Sequence, residues 1–493
     1  MSDKKNLPED KLVDVQKNSD ESVKQILLPH DMSNMDAIKW LERKIEEDEQ
    51  EVGINEVFDA YPGDGAHALV QTLKEIHGFT ALKTKRGFFG STPPTMIGVR
   101  TGPNPEDVVQ VPWGQVEIPG VEGYLETGIT IVKGRPVFTL GGVVKRKNEK
   151  DVADIACHMR EYLATNSIYQ GKAIRIEFPD LEDARSLQDF EPEFLDLSNV
   201  KPNELIFSAE VTSNIECNLF TPILHSEMCR QAGIPLKRGV LLAGPYGTGK
   251  TMTAYVAAKY AEENGWTFLY LKDVNDLAIA VQFAKMYGPA VIFAEDLDNA
   301  LGTSRRDTEV NEILNTIDGV DSKDTEVIVC LTTNHVDRIN KAMLRPGRLD
   351  AVINVTPPDG EAALRLVKQY ARGLLDESGD FTEVKTLLNG KIPAVIRETV
   401  ERAKLAAING NPTGDFKINA EALVVAARSM KAQLKLLTPQ EPDDRSEIER
   451  AADSLKDGLL TAFFQANTEN GETNGTVNVP TARQVLSENA NAE

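Results

Sequence analysis

Eight consecutive residues carry the strongest chemical signal in the chain: Gly244, Pro245, Tyr246, Gly247, Thr248, Gly249, Lys250 and Thr251, reading GPYGTGKT. Their spacing is G-x-x-x-x-G-K-[ST], and they stand between an apolar run, GVLLA, and a run that reads as helix, TMTAYVAAKYAEE. Gly247 and Gly249 allow the backbone to curl so that its N–H groups point inward at phosphate oxygens. The positive end of the following helix adds to that field. Lys250 can reach the outer phosphates, and the Thr251 hydroxyl suits Mg²⁺. A glycine-rich turn that merely joins strand to helix is the alternative, and the flanking elements argue against it.

Three further clusters follow in order. AVIFAEDLD, residues 290–298, is an apolar strand ending in two adjacent carboxylates, Glu295 and Asp296. The carboxyl edge of a parallel sheet, beside a phosphate loop, is where a metal-organising acid and a water-activating base belong. VIVCLTTN, residues 327–334, ends in Asn334, which could position the attacking water or sense the terminal phosphate. Alone it is a common strand-to-turn ending. LRPGRLD, residues 344–350, holds Arg345 and Arg348 on a turn made by Pro346 and Gly347. Guanidinium groups presented this way suit bidentate phosphate recognition, the alternative being two surface arginines.

These clusters need a scaffold, and the pattern around them supplies one. Residues 200–375 alternate apolar strands with helical runs, the signature of a parallel sheet covered on both faces. Residues 376–437 read as a helical lid, with LLNGKIPAVIRETVERAKLAAI the clearest run. Residues 438–493 read as an acidic linker, a short helix over 448–464 and a disordered tail. Before the core, residues 34–195 read as an α+β adaptor or substrate domain. It has a helix capped at Ser33 or Asn34, a second helix through Ala68 and Leu73, several Gly- and Pro-bounded strands, and a last strand AIRIEF. Residues 1–33 are polar and expected to be disordered. The expected fold class is α/β, with a P-loop parallel-sheet core, a helical lid after it and an α+β domain before it.

Composition narrows the roles. A chain of 493 residues holds two to four domains. The net charge of -22 repels phosphate backbones, so charge-driven nucleic-acid binding is disfavoured. Cys157, Cys217, Cys229 and Cys330 form no CxxC pair and no zinc spacing, and are expected to be small buried hydrophobes in a reducing compartment. The N-terminus has no apolar core, and no run of eighteen apolar residues occurs, so a cytoplasmic protein without a membrane span is expected.

The order GPYGTGKT, FAEDLD, TTN, LRPGRLD resembles that of the AAA ATPases, over about residues 205–410. The resemblance implies hydrolysis of ATP with Mg²⁺. It gives Lys250 and Thr251 to phosphate and metal, Asn334 to the sensor 1 role, and Arg345 and Arg348 to the role of arginine fingers. It implies a homo-oligomeric ring, a hexamer, in which those arginines face the nucleotide of the neighbouring subunit. Residues 390–394 fall where the family places sensor 2, with Pro393 replacing its second glycine.

Two departures stand out. The acid pair reads Glu-Asp where Asp-Glu is common, so that by position Glu295 organises the metal, through water, and Asp296 is the base. Only 22 residues run from Phe268 to Pro289, too few for the aromatic pore loop of threading unfoldases. Both departures resemble the subfamily of the mitochondrial Rieske-protein translocase, although its transmembrane segment is missing from this sequence.

The function expected is remodelling or disassembly of a protein client without aromatic pore-loop threading. The alternatives are a nucleic-acid-processing motor, for which the basic-aromatic stretch LKTKRGFFGS (residues 82–91) speaks weakly, and a slow regulatory nucleotide switch. Tyr270 is expected to be strand packing, and Arg305 and Arg306 a solvated or pore-facing loop.

Overall fold

The structure is a computed structural model that describes residues 11–14, 25–28, 33–78, 85–87, 90–92, 95–116, 118–178, 186–297, 326–335, 349–410 and 416–430. The chain divides into two compact units, Met1–Ala426 and Ala427–Glu493, and every described strand belongs to the first.

Strands β1 (Lys11–Asp14) and β2 (Gln25–Leu28) form an antiparallel pair. Helix α1 (Asn34–Asp48) is capped by Ser33, whose side chain accepts from the Asp36 amide. A four-stranded antiparallel sheet follows, ordered β3 (Glu51–Val57), β10 (Arg135–Lys145), β9 (Gly123–Val132) and β8 (Gln115–Val116). Two hairpins, β4 (Lys85–Gly87) with β5 (Gly90–Thr92), and β6 (Thr95–Arg100) with β7 (Val108–Trp113), lie between β3 and β8 in the chain. The first falls within LKTKRGFFGS; Phe88 and Phe89 lie outside the described residues.

Helix α2 (Pro62–His77) is buried on every side from Pro62 to Val70. A surface helix shows one apolar stripe, whereas a helix buried all round is enclosed by other elements. It approaches the sheet closely at Gly65, where a Cβ would meet the Phe138 ring at 2.3 Å. Only glycine allows that spacing. Helix α3 (Glu149–Asn166) packs alongside it, and helices α4 (Ala209–Ile215), α5 (Thr221–Leu224) and α6 (Ser226–Gln231) follow it in the chain.

The second sheet has seven strands in the order β12 (Glu193–Phe194), β11 (Ala173–Ile176), β14 (Thr267–Leu271), β15 (Ala290–Ala294), β16 (Val327–Thr333), β13 (Arg238–Ala243) and β17 (Ala351–Asn354). All neighbours are parallel except β12, which runs antiparallel to β11. β15 and β16 are buried along their whole length, as strands covered on both faces must be. Their alternate residues feed two cores. Val291, Phe293, Ile328 and Cys330 face one, with helix α7 (Lys250–Glu263). Ile292, Ala294, Val329 and Leu331 face the other, with helix α8 (Leu277–Met286).

The second core does not stop at the sheet. It runs through Phe283 and Tyr287 into Tyr61, Leu69, Phe138 and Tyr169 of the N-terminal module. The Tyr61 amide donates to the Tyr287 hydroxyl at 2.8 Å, and the Arg135 guanidinium donates to the Gln282 carbonyl at 2.8 Å. The N-terminal α+β elements and the parallel sheet therefore share one hydrophobic interior. The strand AIRI, expected from its sequence position to belong to the N-terminal module, is hydrogen-bonded into the parallel sheet beside β14. Alternation in a single strand does not reveal which sheet it joins.

Among the described residues, four helices follow β17: α9 (Gly360–Ala371), α10 (Thr382–Leu388), α11 (Pro393–Gly410) and α12 (Ala420–Ser429). Asp359 caps α9 by accepting from the Ala362 amide. The run LLNGKIPAVIRETVERAKLAAI is two helices rather than one. It breaks at Asn389–Ile392, where Gly390 has φ +70°, and resumes on Pro393, a residue suited to a first helical position. Cys229 and Cys330 are buried as expected, but Cys157 and Cys217 are exposed, on helical faces turned to solvent. Among the described residues, no helix is long and apolar enough to cross a membrane.

Candidate active site

β13 delivers the chain to Gly244 at the carboxyl edge of the sheet. A Cβ on Gly244 would sit 2.2 Å from the Val355 carbonyl oxygen, so the residue must be glycine for the loop to leave the strand here. Gly247 (φ +73°) and Gly249 (φ +108°) take left-handed conformations, which curl the loop back on itself. The Thr248 hydroxyl donates to the Pro245 carbonyl at 2.9 Å and braces the curl. Tyr246 stands 67% exposed at the tip. Helix α7 then starts at Lys250, so its unpaired N–H groups and positive end face the loop.

Lys250 is buried, and its ammonium donates to the carbonyls of Gly244 (2.7 Å) and Pro245 (3.0 Å) and to Asn334 Oδ1 (2.8 Å). Residues 84 apart in sequence thus meet because β13 and β16 are hydrogen-bonded neighbours, with Ala243 opposite Thr333. Asn334 Nδ2 donates to Asp296 Oδ1 at 2.7 Å. The Thr251 hydroxyl donates to Glu295 Oε1. The two carboxylates therefore part company: Glu295 turns to the threonine of the loop, Asp296 to the asparagine of the next strand.

Asp296 has φ +53°, a left-handed conformation that costs a non-glycine residue about 1–2 kcal/mol. The Thr332 hydroxyl accepts from its amide at 3.1 Å and holds that turn. A residue kept in such a conformation by its surroundings marks a place where side-chain aim matters more than backbone comfort.

Beside Glu295 lies a group of residues that no motif marks. The Tyr270 phenol is raised well above its ordinary value, by burial first and by the neighbouring Glu295 carboxylate second. Its ring stacks on Phe293 of the neighbouring strand, as cross-strand packing requires. Tyr255 and Arg175 complete the group. Only strand register could have found them from sequence. Two more neighbours close the loop: Phe207 lies against Gly249, and Ile392 against Gly247. Ile392 belongs to the 390–394 segment that the family resemblance gives to sensor 2, and Lys250, Asn334, Glu295 and Asp296 stand on the same edge as the loop.

Arg345 and Arg348 lie outside the described residues, as do Arg305 and Arg306. The end of their motif is described. Leu349 is buried, and Asp350 is pinned to Gly239, whose amide donates to its carboxylate at 2.9 Å. Gly239 is at the start of β13, whereas the phosphate loop leaves its end.

Comparison with known proteins agrees with this geometry. Residues 240–357 match the model of the family described as "ATPase family associated with various cellular activities (AAA)". The chain is 31% identical over 208 residues to a 26S proteasome regulatory subunit 8 homolog of Schizosaccharomyces pombe, covering 38% of this chain and 51% of that protein. It is 31% identical over 270 residues to the ATPase family gene 2 protein of Saccharomyces cerevisiae, covering 50% of this chain and 34% of that protein. It is 33% identical over 205 residues to a proteasome-activating nucleotidase of Methanoregula boonei, covering 38% and 47%. The chain thus spans about half, or less, of the length of these relatives. Residues 240–357 are an AAA domain, and the fold is that of a P-loop AAA+ core with helices after it.

Proposed function

We propose that this chain is a Mg²⁺-dependent ATP hydrolase that works as a homo-oligomeric ring, a hexamer, and remodels a protein partner. The observation that carries the reading is the convergence of Lys250, Asn334 and Asp296 on the glycine loop, with Thr251 and Glu295 paired beside them. The donor set fits the ligands. Loop amides and the start of α7 suit phosphate, and a hydroxyl beside a carboxylate suits a hard cation. Thr251, with Glu295 through water, would hold Mg²⁺, which would supply positive charge against the phosphate oxygens.

Lys250 binds the outer phosphates, trading its carbonyl partners for phosphate oxygens. Asn334 orients the attacking water. Asp296 accepts the proton as the water oxygen bonds to the terminal phosphorus and the bond to ADP breaks. Arg345 and Arg348 come from the adjacent subunit. Supporting this, Arg348 is two residues from Asp350, which is bound to the opposite end of β13 from the chain's own phosphate loop. A strand of that length separates the two ends by about 15–20 Å at 3.3 Å per residue.

Protein remodelling is supported by relatives named for the proteasome. Action without an aromatic pore loop, as in the Rieske-translocase subfamily, is supported by the connection from β14 to β15, which is taken up by a short 3₁₀ turn and α8. Residues 34–195 serve as the adaptor or substrate region, in a cytoplasmic setting. The test is ATP turnover over a range of protein concentration, with Lys250→Ala and Arg348→Ala beside the wild type. Turnover per chain should rise with concentration as rings assemble. Both variants should be inactive, and mixing them should restore part of the activity. A Lys250→Ala chain that turns over normally would overturn the reading.

A further inference from the structure

β16 is apolar until its last two residues, and the first of these breaks a pattern. Ile328 and Cys330 face the core shared with α7, and by strand alternation Thr332 follows them. It is only 1% exposed. Valine has the same shape and would suit such a place, whereas a buried hydroxyl must find a partner or cost stability. The partner is in the neighbouring strand. The ladder between β15 and β16 runs to Ala294 opposite Leu331. Just past that pair, the Asp296 amide donates to the Thr332 hydroxyl oxygen at 3.1 Å.

Asp296 is thus held at two points by the end of β16 and the residue after it. Thr332 takes its backbone, and the Asn334 amide donates to its carboxylate at 2.7 Å. The two holds differ in kind. Asn334 also accepts from the Lys250 ammonium, so its bonds lie where phosphate is expected and are open to exchange. Thr332 is buried and bonds main chain. Aspartate is one methylene shorter than glutamate, so the place of its carboxylate follows more directly from the direction of its Cα–Cβ bond. The φ of +53° sets that direction, and an L-residue left to itself would leave this conformation.

Resting on the nucleotide reading of the site, we propose that Thr332 is a positioning residue for the hydrolytic step: its hydroxyl keeps Asp296 left-handed, and so keeps the carboxylate aimed at the attacking water when Asn334 turns to the nucleotide. The threonine at the end of β16 is the counterpart of the short acid at the end of β15.

The experiment measures ATP turnover by the full chain and, separately, its affinity for a fluorescent, non-hydrolysable ATP analogue. Thr332→Val keeps the shape and removes the hydroxyl; Thr332→Ser keeps the hydroxyl and removes the methyl. Thr332→Val should bind the analogue like wild type while its turnover number falls about 10-fold to 10²-fold, the scale of a catalytic group misplaced by about an ångström. Thr332→Ser should restore most of that loss. In an Asp296→Asn background, Thr332→Val should cause no further loss, because a residue that acts through Asp296 has nothing left to aim. The inference is overturned if Thr332→Val turns over like wild type, if Thr332→Ser falls as far as Thr332→Val, or if analogue binding is lost along with turnover. It is overturned equally if the Thr332→Val loss multiplies in full with that of Asp296→Asn. If Asp296→Asn itself turns over like wild type, Asp296 is not the base, and the inference falls while the nucleotide reading stands. If Lys250→Ala matches wild type in both measurements, the nucleotide reading fails and takes the inference with it.

Discussion

Two sets of acids, one in each half of the first unit, are held by hydrogen bonds, and they are held to different ends. Asp64, in the first turn of α2, is completely buried. It accepts from the Ser167 hydroxyl at 2.7 Å and the Ile168 amide at 3.0 Å, with the Tyr287 phenol beside it. Burial raises its carboxyl to about 6, against the pull of those donors. Glu295 and Asp296, at the sheet edge, are only half-buried. Their partners, Thr251 and Asn334, belong to the loop and strand end where phosphate is expected. The first site is sealed by donors of its own chain, and it ties the N-terminal module to the parallel sheet through Tyr287. The second is open on one side, with partners that can be exchanged. A buried polar group is structural when its own chain satisfies it completely, and chemical when its satisfaction can be handed to a ligand.

The sharpest way to break this comparison is to make the same substitution at both sites. Asp296→Asn should lower the turnover number by about 10²–10⁴-fold, the scale of a general base, while ATP-analogue affinity is retained. Asp64→Asn should leave turnover unchanged at temperatures where the chain is folded. If Asp296→Asn keeps its turnover and Glu295→Gln does not, the roles of the two acids exchange.

The next effect is on stability. A carboxyl raised in the folded state stabilises the fold most when protonated. Asp64 therefore contributes fully below its ordinary value of 3.8, and that contribution is lost as pH rises through about 6. At 1.36 kcal/mol per unit the loss amounts to about 3 kcal/mol. The difference in denaturant-unfolding free energy between wild type and Asp64→Asn, followed from pH 3 to pH 8, should change by that amount and in that direction. A constant difference would show that the acid is not sealed in the folded chain.

The two close-approach glycines should separate stability from binding. Gly65→Ala forces a methyl into the Phe138 ring and should cost about 1–3 kcal/mol of stability with nucleotide affinity intact. Gly244→Ala meets the Val355 backbone and should weaken analogue binding as well. Thermal unfolding with and without the analogue reads both quantities. The smallest effect is Ser167→Ala at pH 5, where Asp64 is mostly protonated. Removing one hydroxyl there should cost about 1 kcal/mol in chemical denaturation.

Much of the candidate site was legible because its parts are local. GPYGTGKT specifies a loop whose conformation depends on its own glycines and on the strand and helix at its ends. The carboxylates of FAEDLD and the asparagine of TTN terminate apolar strands, and in a parallel sheet such ends fall on one edge. Asp64 was not legible, because an acid in a first helical turn looks like an ordinary surface residue complementing the helix dipole. Tyr270 read as strand packing, which its stack on Phe293 bears out. The strand AIRI had the right pattern and the wrong partner sheet, since alternation reports burial and not neighbours.

The sequence by itself determined the local chemistry: a phosphate loop, two acids in the order Glu-Asp, a polar strand end, and the strand–helix alternation that carries them. These follow from backbone freedom and side-chain type over a few residues. Tertiary structure alone decided that Lys250, Asn334 and Asp296 join in one chain of hydrogen bonds, that Arg175 and Tyr255 close around the Tyr270 ring, and that the N-terminal module shares a core with the parallel sheet. Each of these depends on which strands lie side by side and in what register, a result of burying both faces of the sheet at once rather than of any single segment's preference.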